Sequence, residues 1–135
     1  METFINKKEI AEDNYFSVVS MIKNKDAIFT MADAPQKIEK VLAGSSTFDQ
    51  LNYLTGEKFS RNQFDKIILK VGHHGSKTSS APEFIQNLLP TDAVFSYGEN
   101  NRYGHPNQEV LDTFKQYSPN TKIHRTISGT VYFGE

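Results

Sequence analysis

A chain of 135 residues, 37% hydrophobic and 23% charged, is long enough for one domain with a buried core and too apolar for a disordered one. Fifteen basic residues against sixteen acidic ones leave a net charge of -1, which excludes a general attraction to nucleic acid or anionic membrane. The absence of cysteine excludes disulfides, thiolate zinc sites and cysteine nucleophiles together.

The longest apolar runs are Val18-Val19, Ile67-Ile68-Leu69 and Val94-Phe95, far short of the roughly 20 residues of a membrane helix. Met1 to Lys8 lack the apolar core of a signal peptide, so the expected compartment is the cytoplasm. Residues 1–13 are polar and mixed, and read as a flexible lead-in to a single domain over 14–135. Tyr15 to Ile22 has the pattern of a strand covered on both faces, and Ala27 to Met31 reads as a second strand after the turn Asn24-Lys25-Asp26. Pro35 opens a helix with Ile38, Val41 and Leu42 on its buried face, and Gly44 ends it. A short helix and a loop follow over 45–63. Lys66 to Val71 is a buried strand. The polar loop 72–80 leads to a helix with Pro82 at its first position, Phe84, Ile85, Leu88 and Leu89 on its buried face, and Pro90 as its stop. Ala93 to Tyr97 is another strand, and after the loop 98–105 Pro106 opens a third helix with Val110, Leu111 and Phe114 inward. Lys122 to Thr126 and Thr130 to Phe133 read as a closing hairpin around Ser128-Gly129. Alternating strands and helices predict an α/β fold with a mixed sheet and three or four helices.

Both glycine-containing polar loops, 72–81 and 98–106, lie past the carboxyl ends of strands, where α/β sheets gather their sites. They hold His73, His74 and His105, and Asp33 follows the strand 27–31 in the same way. Imidazole nitrogen and carboxylate oxygen suit zinc, and strand ends can bring them to one point. Plainer readings stand beside this one. The His73-His74 pair also fits a polar turn bonded to backbone carbonyls, His105 a helix cap, and Asp33 an N-cap. Ser76 near His74 is not a nucleophile elbow, since the flanking pattern and an orienting acid are missing. His124 is assigned no role. Lys70, Lys77, Arg102 and Arg125 are either solvated charge or a rim favouring an anionic substrate such as a phosphodiester.

Three segments carry a resemblance. Val71-Gly72-His73-His74-Gly75-Ser76-Lys77-Thr78-Ser79 resembles the His-His-Gly-Ser loop of metallo-β-lactamase-fold hydrolase domains of the ComEC competence-protein type. Asn101-Arg102-Tyr103-Gly104-His105-Pro106 is similar to their Asn-x-Tyr-Gly-His-Pro segment. His124-Arg125-Thr126 with Gly129-Thr130-Val131 resembles their closing Arg-Thr and Gly-Thr strands. Upstream, Asn14, Ser17 and Val18 and then Ala32-Asp33-Ala34 resemble an Asn-x-x-Ser strand and its Gly-Asp-Ala turn. The likeness runs from about Asn14 to Phe133.

The resemblance implies the C-terminal half of an αββα sandwich with zinc, or else manganese, at one edge. It implies Asp33 as a bridging carboxylate, His73 or His74 as a ligand with His74 favoured, and His105 as a last ligand or a substrate-orienting neighbour. Asp33 and His74 would be the catalytic pair, and Ser76, Lys77 and Arg102 would meet a substrate phosphate. Two departures stand out. Ala32 replaces a glycine, and no His-x-His-x-Asp-His motif occurs anywhere in the chain. The metal site is therefore incomplete, and half a sandwich predicts a homo-oligomer or a partner chain supplying the N-terminal half. The leading expectation is a truncated or split metal-dependent hydrolase acting on a phosphodiester or nucleic acid. The second is an inactive interaction and assembly module on the same fold. The third is a nucleic-acid binder using Lys70, Lys77 and Arg102.

Overall fold

Among the described residues five short strands form one sheet in chain order, β1 (Ser20–Lys23), β2 (Ala27–Thr30), β3 (Ile67–Lys70), β4 (Asp92–Phe95) and β5 (Lys122–Arg125). The computed structural model describes Asn14 and residues 19–133. The expected lead-in 1–13 and the first half of the strand expected over Tyr15–Ile22 lie outside these residues. β1 runs antiparallel to β2, and β2, β3, β4 and β5 are mutually parallel, so the sheet is mixed. Four helices among the described residues connect the strands: α1 (Gln36–Ala43), α2 (Thr47–Thr55), α3 (Pro82–Leu88) and α4 (Gln108–Tyr117). The α/β expectation is met in class, in mixed pairing and in helix number.

Alternation along the strands divides the sheet into two faces. On one, Ala27, Phe29, Ile67, Leu69, Ala93 and Phe95 meet Ala43, Phe48, Phe84, Ile85, Leu88, Val110 and Phe114 from the helices. Phe29, Phe84, Phe95 and Phe114 are at most 2% exposed, and burial of such a side chain contributes about 1.5–3 kcal/mol. On the other face the register aligns Ile22, Ile28, Ile68 and Asp92 in one row and Ser20, Thr30, Lys70, Val94 and His124 in the next. Asp92 and His124 pair there at 2.7 Å, and the Thr91 hydroxyl donates to the second oxygen of Asp92. Burial pushes the Asp92 carboxyl up, but the His124 and Thr91 bonds and the charges of His124 and Lys122 outweigh it and hold it below its ordinary value. Ile22 is 61% exposed. All four helices pack on the first face.

Local signals explain most element ends. Ser46 caps α2 by accepting the Asp49 amide at 3.0 Å, and Gly56 ends that helix in the left-handed region. Pro82 begins α3, and Leu89 turns left-handed just before Pro90.

Helix α1 packs Ile38 and Leu42 against the core as expected, with Ala43 and Glu39 fully buried beside them. Two expectations are corrected. Helix α4 starts at Gln108 rather than Pro106. Asn107 is held extended, its N–H donating to the Gly75 carbonyl at 2.9 Å and its Oδ1 accepting the Lys77 amide at 2.8 Å. The closing hairpin does not form among the described residues. β5 pairs parallel with β4, and the chain then turns through a short 3-10 segment, Thr126–Ser128. There the Thr126 hydroxyl accepts the Tyr97 amide at 3.1 Å, which ties the turn back to the end of β4.

Candidate functional site

The carboxyl ends of β2, β3 and β4 lie side by side, so the three segments that follow them share one edge of the sheet. After β2 the backbone turns left-handed at Ala32 (φ 47°) and presents Asp33. Alanine stands where this turn favours glycine, at a strain of about 1 kcal/mol or more. The Ala32 carbonyl accepts the His73 amide at 2.7 Å, which locks the first segment to the second.

After β3, three consecutive residues are left-handed: His73 (φ 47°), His74 (φ 56°) and Gly75 (φ 85°). Surroundings must over-determine such a run for it to persist. Helix α1 does part of this. Gln36 donates its amide to Thr78 at 2.8 Å and its side-chain nitrogen to the Lys77 and Ser79 carbonyls at 3.1 Å. The Ser79 hydroxyl donates to the Gly72 and Ser76 carbonyls at 2.8 and 2.9 Å. Glu39, 1% exposed, accepts the Ala81 amide at 2.6 Å.

This frame aims the histidines. His74 Nδ1–H donates to the Ser96 carbonyl at 2.6 Å. In the neutral ring that leaves the lone pair on Nε2, which lies 4.0 Å from Asp33 Oδ1. A histidine fixed by a carbonyl on one nitrogen and open on the other is the usual arrangement of a metal ligand. His73 shares a 3.2 Å hydrogen bond with the Thr78 hydroxyl, and its ring lies 5.8 Å from that of His105. His105 is set by Asn101, which accepts its amide at 2.6 Å and donates to its carbonyl at 2.9 Å. Among the described residues no group stands within hydrogen-bond geometry of its buried Nδ1. Burial lowers the His105 pKa, and the charges of His73 and His74 lower it further, against a weaker pull from Asn107. Tyr103 stacks on His105 at 5.8 Å, and Arg102 lies over the Tyr103 ring at 5.5 Å. A cleft of about 410 Å³ opens between His74 and His105, lined by Ser96, Tyr97, Gly98, Asn101, Tyr103 and Thr126.

Asp33 and His74 thus meet, and His73 meets His105. Among the described residues, no group of three or more such side chains converges closely enough to hold a metal ion. Imidazole nitrogen and carboxylate oxygen are donors that zinc takes in general. Ser76 is buried and bonded to Thr78, so its hydroxyl points within the loop. Lys77 is exposed with its amide on Asn107. Lys70 occupies the sheet face away from the helices, apart from Lys77 and Arg102. His124, given no role from sequence, serves the Asp92 pair. Sequence reasoning missed Glu39, Thr78, Asn101 and Asn107. The two asparagines bracket a Gly-His-Pro turn, and that turn chemistry was the available signal. Glu39 had none, since a glutamate in a charged helix reads as surface.

No protein-family model matches the chain, and no solved structure matches it. Characterised sequences do. The chain is 52% identical to ComE operon protein 3 of Bacillus subtilis strain 168 over 82 residues, 58% of its length. It is 29% identical over 129 residues, 95% of its length, to Competence protein ComA of Neisseria gonorrhoeae. It is 25% identical over 121 residues, 90% of its length, to Recombination protein 2 of Haemophilus influenzae strain Rd. The chain is homologous to competence proteins. It spans only 10%, 16% and 13% of those three relatives respectively. No helix among the described residues is long and apolar enough to cross a membrane.

Proposed function

We propose that this chain is the C-terminal half of a metallo-β-lactamase-fold domain of the ComEC type, serving metal-dependent hydrolysis of a phosphodiester or nucleic acid. The observation that carries the reading is His74, fixed through Nδ1 on the Ser96 carbonyl with Nε2 turned toward Asp33 at 4.0 Å. Asp33, His74 and His105, with His73 beside them, would hold zinc or manganese. A metal there would supply an activated water and stabilise charge on the phosphoryl oxygens. The protein's own part is to fix the His74 ring through the Ser96 carbonyl and, by burial, to disfavour the charged form of His105. Arg102 and Lys77 would meet an anionic substrate, and Ser76 would act through the loop.

The remaining ligands must come from a second half, in a partner chain, a second copy or further sequence of a longer protein. Parallel strands are almost always covered on both faces. Here the face bearing Ile22, Ile28, Ile68 and Val94 has no helix on it among the described residues, which supports a covering layer. One observation favours the assembly-module reading instead, namely that no three described ligands converge. Metal analysis of the purified protein, alongside its mass in solution, tests the two. Bound zinc or manganese that is lost in Asp33→Ala and His74→Ala supports the hydrolase. A metal-free oligomer whose mass is unchanged by those substitutions supports the module.

A further inference from the structure

We propose that Glu39 is a positioning residue for the histidine loop: its buried carboxylate clasps both ends of the loop and thereby sets where His73 and His74 stand. The geometry is specific. One oxygen accepts the Ala81 amide at 2.6 Å, and the Ser80 amide also donates to the carboxylate. The other oxygen lies against the start of the loop, so close that a Cβ on Gly72 would stand 3.3 Å from it. The carboxylate is therefore bonded to the exit of the loop at Ser80–Ala81 and packed against its entrance at Gly72. Between these points the chain is left-handed at His73, His74 and Gly75, and again at Ser80 (φ 61°). A segment with that many strained residues keeps its shape only while its ends are held.

The clasp is also a titrating one. Burial pushes the Glu39 pKa from 4.5 up to about 7, against the pull of the Ala81 and Ser80 amides. The charged groups on the elements around it are Lys37 and Lys40 on α1, Glu83 on α3, and Asp33, His73, His74 and Lys77 on the flanking segments. None of them is among the causes of the shift. Lys40 is turned toward Glu83, at 3.8 Å. The ionised carboxylate makes charge-assisted bonds, roughly twice as strong as neutral ones, and holds Ser80–Ala81 beside helix α1 while its other oxygen packs against Gly72. The protonated form loosens that hold. The histidine loop thus has a tight and a relaxed form, exchanged by one proton well inside the protein. Its importance for catalysis rests on the proposed hydrolase site, but the coupling itself does not.

The test is NMR of the metal-free full chain, titrated between about pH 5 and 9. The Glu39 side-chain carboxyl carbon, the amides of residues 72–75, 80 and 81, and the ring protons of the histidines are followed together. The ring protons separate histidine protonation from that of Glu39. The expected result is a component at residues 72–75, 80 and 81 that shares the Glu39 midpoint near 7 and vanishes in Glu39→Gln. The proposal is overturned if that component persists in Glu39→Gln. It is also overturned if the component is confined to Ser80 and Ala81, which would make Glu39 a local helix cap. Should the variant fail to fold, the wild-type carbon signal decides alone. Different midpoints for the carboxyl and for residues 72–75 overturn the idea. Because no metal or substrate enters the measurement, failure of the hydrolase reading leaves this result standing, and the reverse.

Discussion

Gly75 joins the histidine loop to the loop that carries His105, and alanine there should be among the most damaging small substitutions in the chain. Two penalties combine. A φ of 85° places an L-residue in the left-handed region, at about 1–2 kcal/mol. A Cβ would also stand 2.7 Å from Pro106 Cβ and 2.9 Å from Phe95 Cδ1. Phe95 cannot retreat, because it is fully buried and packed edge-on against Phe114 at 5.6 Å. Relieving such overlap typically costs about 1–3 kcal/mol, so the expected total is about 2–5 kcal/mol. Gly104 and Gly98 provide the controls. Gly104 has a φ of 67° with nothing within 4 Å, so Gly104→Ala should lose only the backbone part, while Gly98→Ala, also in open space, should be near neutral. Urea unfolding of the three variants reads the series. If Gly75→Ala is no less stable than Gly104→Ala, the packing argument around Pro106 and Phe95 is wrong.

The buried acid should leave a signature in stability. Glu39 binds its proton more tightly folded than unfolded, so that contribution is complete below about pH 4.5 and lost as pH rises to about 7. At 1.36 kcal/mol per unit this amounts to about 3 kcal/mol. Glu39→Gln should flatten that part of the curve in urea titrations at several pH values, and an unchanged slope would rule the account out. Removing the partner of a carboxylate has the opposite sign. His124→Ala should destabilise by about 1–3 kcal/mol near neutrality, and the difference should fade as acid protonates Asp92, whose folded pKa lies below 3.8. Thermal melts of both proteins across the acid range would show curves that stay parallel if the pair is idle. Phe84, fully buried beneath α3, should cost about 3–5 kcal/mol on substitution by alanine. A loss under 1 kcal/mol in chemical denaturation would mean the helix layer is not packed as described.

Much of this fold is written in local pattern. Prolines and glycines mark the ends of α1 and α3, and the apolar run Ile67-Ile68-Leu69 is a buried strand as its composition implies. What escaped is what depends on tertiary partners. Thr130–Phe133 alternates like a strand but pairs with no strand among the described residues, because the exit of β5 is tied by Thr126 to the end of β4. Asn107 takes the position that Pro106 was expected to open, because two bonds to the neighbouring loop hold it extended. The site was legible as three strand ends bearing Asp33, His74 and His105. Strand spacing does not carry the pairwise outcome, in which Asp33 meets His74 while His105 meets His73. Lys70 shows the same limit in reverse. Its place at the end of β3 suggested the rim, but alternation sends it to the other face.

The strand order β1-β2-β3-β4-β5 has a bearing on how such a unit is built and carried. Among the described residues no strand is inserted between two earlier ones, so each strand adds to an edge already present. Of the described strands the first and last occupy opposite borders, and the ends of β2 to β4 that lead to Asp33, His73, His74 and His105 lie in the interior of the row. Added sequence before β1 or after β5 therefore joins at a margin and needs no rethreading of the centre. A unit ordered in this way can be joined to further sequence at either margin while its middle strands keep the same neighbours.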